Sequence, residues 1–311
     1  MFILEAIHKA KRKVIKTYQK YFTIEHPETY ILSDKSFIKK IYKKRMGKEI
    51  NLSEPQTFCE KQNWLKLYDR KPVYTVMADK YLARDFVAER IGEEYLVPLL
   101  GVWDNADEID FDALPEKFVL KCNHNSDVVI CTDKASLDIE KVREKLNGQL
   151  KVDYSCHKRE WQYKDIPRKI ICEKFMENTN GENLVDYKLF CFDGVPKFIM
   201  VNSNRFGEGG VHVDMYDMQW NHMEMQDGHY PNAGDIFSKP ECFDEMCKLA
   251  EVLSKDTTLL RVDFNYWDNK LYFGELTFFH SAGLESFMPE KWDEILGSWV
   301  NLPSKKGDNY D

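Results

Sequence analysis

Residues 261–279 read RVDFNYWDNKLYFGELTFF. Two runs rich in aromatic and β-branched residues flank Asp268, Asn269 and Lys270, the pattern of two strands joined by a tight turn. Yet Arg261, Asp263, Asn265, Glu275 and Thr277 interrupt what otherwise looks like core, and charged groups are seldom buried without partners. Side chains alternate along a strand. Arg261, Asp263 and Asn265 therefore share one face, and Val262, Phe264 and Tyr266 the other. In the second strand Phe273, Glu275 and Thr277 share a face, opposite Tyr272, Gly274, Leu276 and Phe278. A three-residue loop, Asp268 to Lys270, sets Asp263 against Glu275 and Arg261 against Thr277. A two-residue loop sends the carboxylates to opposite faces. The three-residue loop is the expectation. Two opposed carboxylates repel unless a cation lies between them or one is protonated. A hard cation such as magnesium, bound by carboxylate and phosphate oxygens, suits the pair. The competing reading is a solvated edge hairpin in which Arg261 neutralises Asp263.

The rest of the chain bounds the setting. It has 311 residues, 43% of them apolar and 14% aromatic, enough for one large domain or two smaller ones. A net charge of −8 argues against general nucleic-acid binding. The eight cysteines include no C-x-x-C pair and fit no zinc ribbon or finger, so buried reduced thiols in a cytoplasmic protein are expected. No apolar run is long enough to span a membrane. The start, MFILEAIHKAKRKVIKTYQKYF, is no signal peptide, because Glu5 breaks its short apolar stretch. It is a basic amphipathic segment, suited either to packing on its own domain or to an anionic membrane surface, here the inner face.

Along the chain, residues 1–78 read as helical: SFIKKIYKKRMG stops at Gly47, and a helix over SEPQTFCEKQNWLKLYDR opens with Ser53 as cap and Pro55 in its first turn. ADKYLARDFVAERIG is one further helix. Strands follow at EYLVPLLGVW, KFVLKCNH, VVICTDK and RKIICEKFM, with a helix over LDIEKVREKLNGQL. LVDYKLFCFDGVPKFIMVNSNRF reads as a hairpin turned by Asp193 and Gly194, and residues 205–235 as loop. GEGG at Gly207 lacks the strand–turn–helix setting of a nucleotide fingerprint. FDEMCKLAEVLSK and PEKWDEILGSWV are helices. The fold class is α+β.

Five features occur in order: Lys121 before the polar loop CNHNSD, Glu173 to Met176 after a second apolar strand, Asp186 and Lys188 alternating on a third, Asp263 with Glu275, and Thr277 through Gly283. Through ADKYLARDFV, FVLKCNHNSD, ICEKFM, DYKLFCFDG and RVDFNYWDNKLYFGELTFFHSAG, residues 55–300 resemble the ATP-grasp superfamily, and more closely its TupA-like group, named after a teichuronopeptide-biosynthesis protein. The resemblance implies an ATP-grasp fold: two small α+β subdomains gripping a nucleotide, preceded by a helical N-terminal region. The implied organisation is a helical region at 1–78, an ATP-grasp domain at 79–303 and a tail at 304–311. A nucleotide lid would span about 117–178 and a metal and substrate subdomain about 183–303.

The resemblance also implies roles. Lys121 would reach the ATP phosphates. The loop carrying Asn123, His124 and Ser126 would cover them, although relatives have more glycine here and Asp127 would repel a triphosphate. Glu173, Lys174, Phe175 and Met176 would present main chain to adenine, with Glu177 near ribose. Lys188 would lie near the transferred phosphate, and Asp186 would be among the nucleotide-binding residues. Asp263, Glu275 and Thr277 would hold magnesium, and Arg261 would bind the acyl phosphate or fix Asp263. Arg205 and His212 would meet the second substrate. His280 stands where relatives often have proline. The expected activity is an ATP- and magnesium-dependent carboxylate–amine ligase joining an amine or amino acid to a uronic-acid sugar in surface polysaccharide biosynthesis. Three rivals are a glycosyltransferase using Asp110-Phe111-Asp112, an ATP-dependent sugar kinase and a non-catalytic nucleotide-binding or scaffold protein.

Overall fold

The computed structural model describes residues 32–177, 185–204, 209–233 and 237–304. The N-terminal basic segment, Arg205 and most of the tail lie outside them. The first helix, α1 (Asp34–Met46), starts where the Ser33 hydroxyl accepts from the amide of Ser36 and stops at Gly47, φ 70°. The second, α2 (Phe58–Tyr68), is capped by Thr57, not Ser53: the Thr57 hydroxyl accepts from the Glu60 amide and the Glu60 carboxylate accepts in return. Upstream, the Asn51 side chain accepts from the amides of Ser53 and Glu54, holding that stretch as a turn. Nor is ADKYLARDFVAERIG one helix. A short α3 (Val73–Ala78) ends before Asp79, whose carboxylate accepts from the amides of Tyr81 and Leu82 and so starts α4 (Leu82–Ile91) afresh.

Two antiparallel sheets follow. The first contains β1 (Leu99–Trp103), β2 (Phe118–Cys122), β3 (Val128–Cys131) and β4 (Ile170–Lys174), ordered β1-β4-β2-β3. One face packs on α5 (Ile139–Leu150) through Phe118, Leu120, Cys172, Val142 and Leu146, a hydrophobic core of its own. A single turn, α6 (Ser155–Lys158), lies between α5 and β4. The second sheet contains β5 (Val185–Phe192), β6 (Val195–Ser203), β7 (His212–Asp217), β8 (Leu259–Trp267) and β9 (Lys270–Thr277), ordered β7-β6-β5-β8-β9. Its core is continuous with the first four helices and with α7 (Phe243–Ser254) and α8 (Lys291–Trp299), through residues such as Tyr42, Phe58, Phe190, Met246 and Leu296. Strand β7 corrects the reading of 205–235 as loop. Its polar residue Asp214 is fully buried, and it accepts from His222, Asn232 and the amide of Ala233. All eight cysteines are free thiols and six are buried.

The opening hairpin keeps the expected register by a different device. Asp263 pairs with Glu275 and Arg261 with Thr277, but Trp267 pairs with Lys270, so the loop is two residues. Asp268 and Asn269 both take positive φ, 46° and 59°, as a type I′ turn requires. Parity is restored by a bulge: one step from Phe264 to Asp263 matches two steps from Phe273 to Glu275. The extra residue is Gly274, where a Cβ would sit 3.1 Å from the carbonyl oxygen of Asp263. Phe273 therefore joins the buried face with Leu271, while Glu275 and Thr277 stay opposite Leu276 and Phe278.

Candidate functional site

The polar face of β5, β8 and β9 carries one connected cluster. Register sets Lys188 directly opposite Asp263, and its Nζ lies 2.7 Å from Oδ2. The Arg261 guanidinium grips the same carboxylate at both ends, Nε to Oδ1 and Nη2 to Oδ2, each 2.7 Å. Its Nη2 also donates to Glu275 Oε1 at 2.9 Å, and the Thr277 hydroxyl donates to that oxygen at 3.2 Å. Nη1 of Arg261 lies 3.0 Å from His280 Nδ1, which therefore accepts. The His280 ring stacks on Phe287. Burial, then Arg261 and Lys188, push the His280 pKa well below its ordinary value, so the imidazole is a neutral acceptor. Burial raises the Asp263 pKa, but Arg261 and Lys188 outweigh it and hold the carboxyl below the usual range.

The other sheet faces this cluster with its own cations. Lys121 Nζ is 2.6 Å from Glu173 Oε2, and Arg84 is 3.4 Å from the other oxygen. Val128 pairs with Lys121 and Ile130 with Val119, so both lie on the Lys121 face. Each is 41% exposed, so the two form a small apolar patch on that face. Between the strands, Asn123 and His124 are buried. Asn123 donates to Asp79 and to the carbonyl of Pro167 and accepts from the amide of Lys169. His124 Nε2 lies 3.3 Å from the carbonyl of Val152, and burial, then Arg168, lower its pKa to about 4. These two side chains brace the loop from inside, leaving Ser126 and Asp127 exposed at its tip.

Lys80 joins the two halves, and the sequence reading overlooked it. Its Nζ donates to the carbonyl of Asn125 at 2.8 Å and lies 3.8 Å from Glu275 Oε2. Its side chain is 17% exposed. Burial lowers its pKa, Glu275 opposes that, and Lys121 adds to it. ADKY offered only a helix start. The lysine matters because Asp79 anchors the turn to Asn123, and the amide of Lys80 donates to the carbonyl of Asn123.

The remaining candidates are scattered. Asp186 shares the Lys188 face, opposite Asn265 and Asn202. Lys174 and Glu177 are exposed and Phe175 and Met176 half-buried; Glu177 pairs with Lys117 at 2.8 Å. His212 starts β7, three strand positions from β8 or about 14 Å away. It is therefore not brought against Arg261. Asp110 spends its carboxylate accepting from the amides of Asp112 and Ala113 in an exposed turn. Among the described residues there is no cluster of three or more histidine, cysteine or carboxylate side chains placed to hold a metal, and no helix is long and apolar enough to cross a membrane.

A family model for TupA-like ATP-grasp proteins matches residues 60–301. The chain belongs to this family. TupA-like membership makes this an ATP-grasp fold. Solved structures similar to this TupA-like chain include D-alanine–D-alanine ligase from Bacillus anthracis complexed with ATP, 15% identical, TM-score 0.39, covering 65% of this chain and 55% of that one. L-amino acid ligase from Bacillus licheniformis is 10% identical, TM-score 0.45, covering 81% and 56%. D-alanine–D-alanine ligase from Helicobacter pylori is 14% identical, TM-score 0.39, covering 78% and 69%. The chain thus spans little more than half the length of the first two. No curated protein matches it.

Proposed function

We propose that this protein is an ATP- and magnesium-dependent carboxylate–amine ligase working through an acyl phosphate. The observation that carries the reading is the Lys188–Asp263–Arg261–Glu275 cluster, with Lys80 and Lys121 facing it from the lid side. Three cations, Lys188, Arg261 and Lys80, around Asp263 and Glu275 suit a polyanion that shares its charge with a metal. The donor set fits magnesium: hard carboxylate oxygens of Asp263 and Glu275 on neighbouring strands, beside the Thr277 hydroxyl. Asp263 and Glu275 would hold the ion, which would offset the charge of the transferred phosphoryl group.

The chain's own groups do the rest by position and charge. Val128 and Ile130 offer an apolar surface to the base, and Glu173 to Met176 offer main chain to its edge. Lys80 and Lys121 draw the phosphates under the loop tip at Ser126. Lys188 and Arg261 stabilise the equatorial oxygens as a substrate carboxylate oxygen attacks the terminal phosphorus and ADP departs. Arg261 then holds the acyl phosphate while an amine attacks its carbonyl carbon and phosphate leaves. Within this family reading, the carboxylate belongs to a uronic-acid sugar and the amine to an amino acid or simple amine, in surface polysaccharide biosynthesis. Calorimetry of ATP binding with and without magnesium, on wild type and on the Asp263→Ala, Glu275→Ala double variant, tests the site. Magnesium-dependent binding lost in the variant is expected, and equal binding overturns it. Release of ADP and phosphate with a panel of uronic acids and amino acids tests the chemistry. No release above background removes the ligase assignment.

A further inference from the structure

Helix α1 presents a face made of lysine. Phe37, Ile38 and Tyr42 turn inward and are buried. On the other side run two rows at the four-residue spacing of one helix face. Lys35, Lys39 and Lys43 form the first, and Ser36, Lys40 and Lys44 the second, all of them exposed. Among the described residues no carboxylate is paired with Lys35, Lys39, Lys40 or Lys44, and Lys43 meets only Glu49, at 2.5 Å and in the open. The one acid of the helix, Asp34, is taken by Arg70 at 2.7 Å and Arg159 at 3.1 Å, which tie the start of α1 to the body. Like charges four residues apart destabilise a helix, so the rows weaken α1 rather than support it.

Charge is segregated along the chain in the same sense. Residues 1–48 hold thirteen lysines and arginines against four acids, and residues 49–311 hold thirty-one against forty-eight. The lysine face is thus a cationic strip on an acidic molecule, and it faces outward with the acidic bulk behind it. Side chains that diverge from a convex helix do not converge on a small anion; they match an extended anionic surface. The sequence before α1 favours lipid among such surfaces. There Phe2, Ile3, Leu4, Ile7, Val14 and Ile15 accompany Lys9, Lys11, Arg12, Lys13, Lys16 and Lys20, a mixture of apolar and basic residues suited to a bilayer interface rather than to a wholly polar polyanion. We propose that the lysine face of α1 is a docking surface for an anionic lipid bilayer, held by charge and without insertion. The inference does not depend on the ligase reading.

The test sediments the full chain with vesicles of phosphatidylcholine containing phosphatidylglycerol, and with vesicles of phosphatidylcholine alone. Wild type is expected to bind the anionic vesicles only, and to leave them at high salt. A lysine at an anionic surface contributes about fivefold in partitioning, so the variant with Lys35→Gln, Lys39→Gln, Lys40→Gln and Lys44→Gln should bind at least a hundredfold more weakly, with its thermal midpoint kept or raised. Arginine at the same four positions should keep the binding. Equal binding by wild type and the glutamine variant, which would place all contact in the residues before α1, overturns the inference. So does loss of binding in the arginine variant, no binding by wild type, or tighter wild-type binding to duplex DNA or polyglucuronate than to the anionic vesicles.

Discussion

Replacing Asp263 by alanine strands two cations. Arg261 loses two bonds of 2.7 Å and Lys188 loses its own at 2.7 Å, around a carboxylate whose side chain is only 6% exposed. Removing one partner of a buried ion cluster costs about 3–5 kcal/mol, most of it the burden of the unpaired charge left behind. Glu275 stays within 2.9 Å of Arg261 and keeps the cost at the lower end, about 3 kcal/mol. With a urea dependence of about 3 kcal/mol/M, the unfolding midpoint moves down by about 1 M. Lys188→Met added to Asp263→Ala removes one stranded cation and recovers about 1–2 kcal/mol, a coupling only contacting residues show. The pH dependence follows the same charges. The folded pKa of Asp263 is depressed, so its stabilisation is full above the ordinary carboxylate value near 4 and is lost as pH falls through the folded value. The alanine variant lacks that acid limb. Urea unfolding at pH 7, and at steps between pH 5 and pH 2, reads both effects. A midpoint within about 0.2 M of wild type, or a double variant no more stable than the single, would refute the view that Asp263 balances these cations.

Three further outcomes are expected. Lys80→Met removes a charge-assisted contact worth about 1.5–3 kcal/mol, so calorimetry should show ATP binding weakened at least tenfold; unchanged affinity would take Lys80 out of the nucleotide site. His124, lowered to about 4 by burial and then Arg168, contributes stability that is present above its unfolded value near 6.5 and fades by about 3 kcal/mol as pH falls to 4. An imidazole NMR titration with a midpoint near 6.5 would contradict that. In α8, a Cβ on Gly297 would lie 2.2 Å from the carbonyl oxygen of Gln56, so Gly297→Ala must part α8 from the start of α2, at a cost of about 2 kcal/mol visible as a lowered thermal midpoint.

Much of the fold was legible because apolar runs and turn residues agree: Gly47 ends α1, Asp193 and Gly194 turn β5 into β6, and LDIEKVREKL is a helix. The pairing of Asp263 with Glu275 was also legible, though through the wrong loop. Parity fixes which side chains must oppose each other, but it cannot say whether the odd residue sits in the turn or in a bulge. Strand β7 was hidden because Asp214 and Asp217 suggest solvent, and only the partners of Asp214 explain its burial. Lys80 was hidden for a related reason: it is an ordinary charged residue in a local pattern, and its environment comes from Asn125, more than 40 residues away.

The bulge at Gly274 makes the hairpin tolerant of one kind of length change and intolerant of another. The offset between Asp263 and Glu275 depends only on the combined count of turn and bulge residues. One residue added at Asp268–Asn269 alone pushes the carboxylates to opposite faces, and so does loss of Gly274 alone. Made together, the two changes cancel and return a three-residue turn on an unbulged ladder. Related chains can therefore differ in turn length and in the presence of this glycine while carrying the same two carboxylates face to face, provided that the two differences travel as a pair.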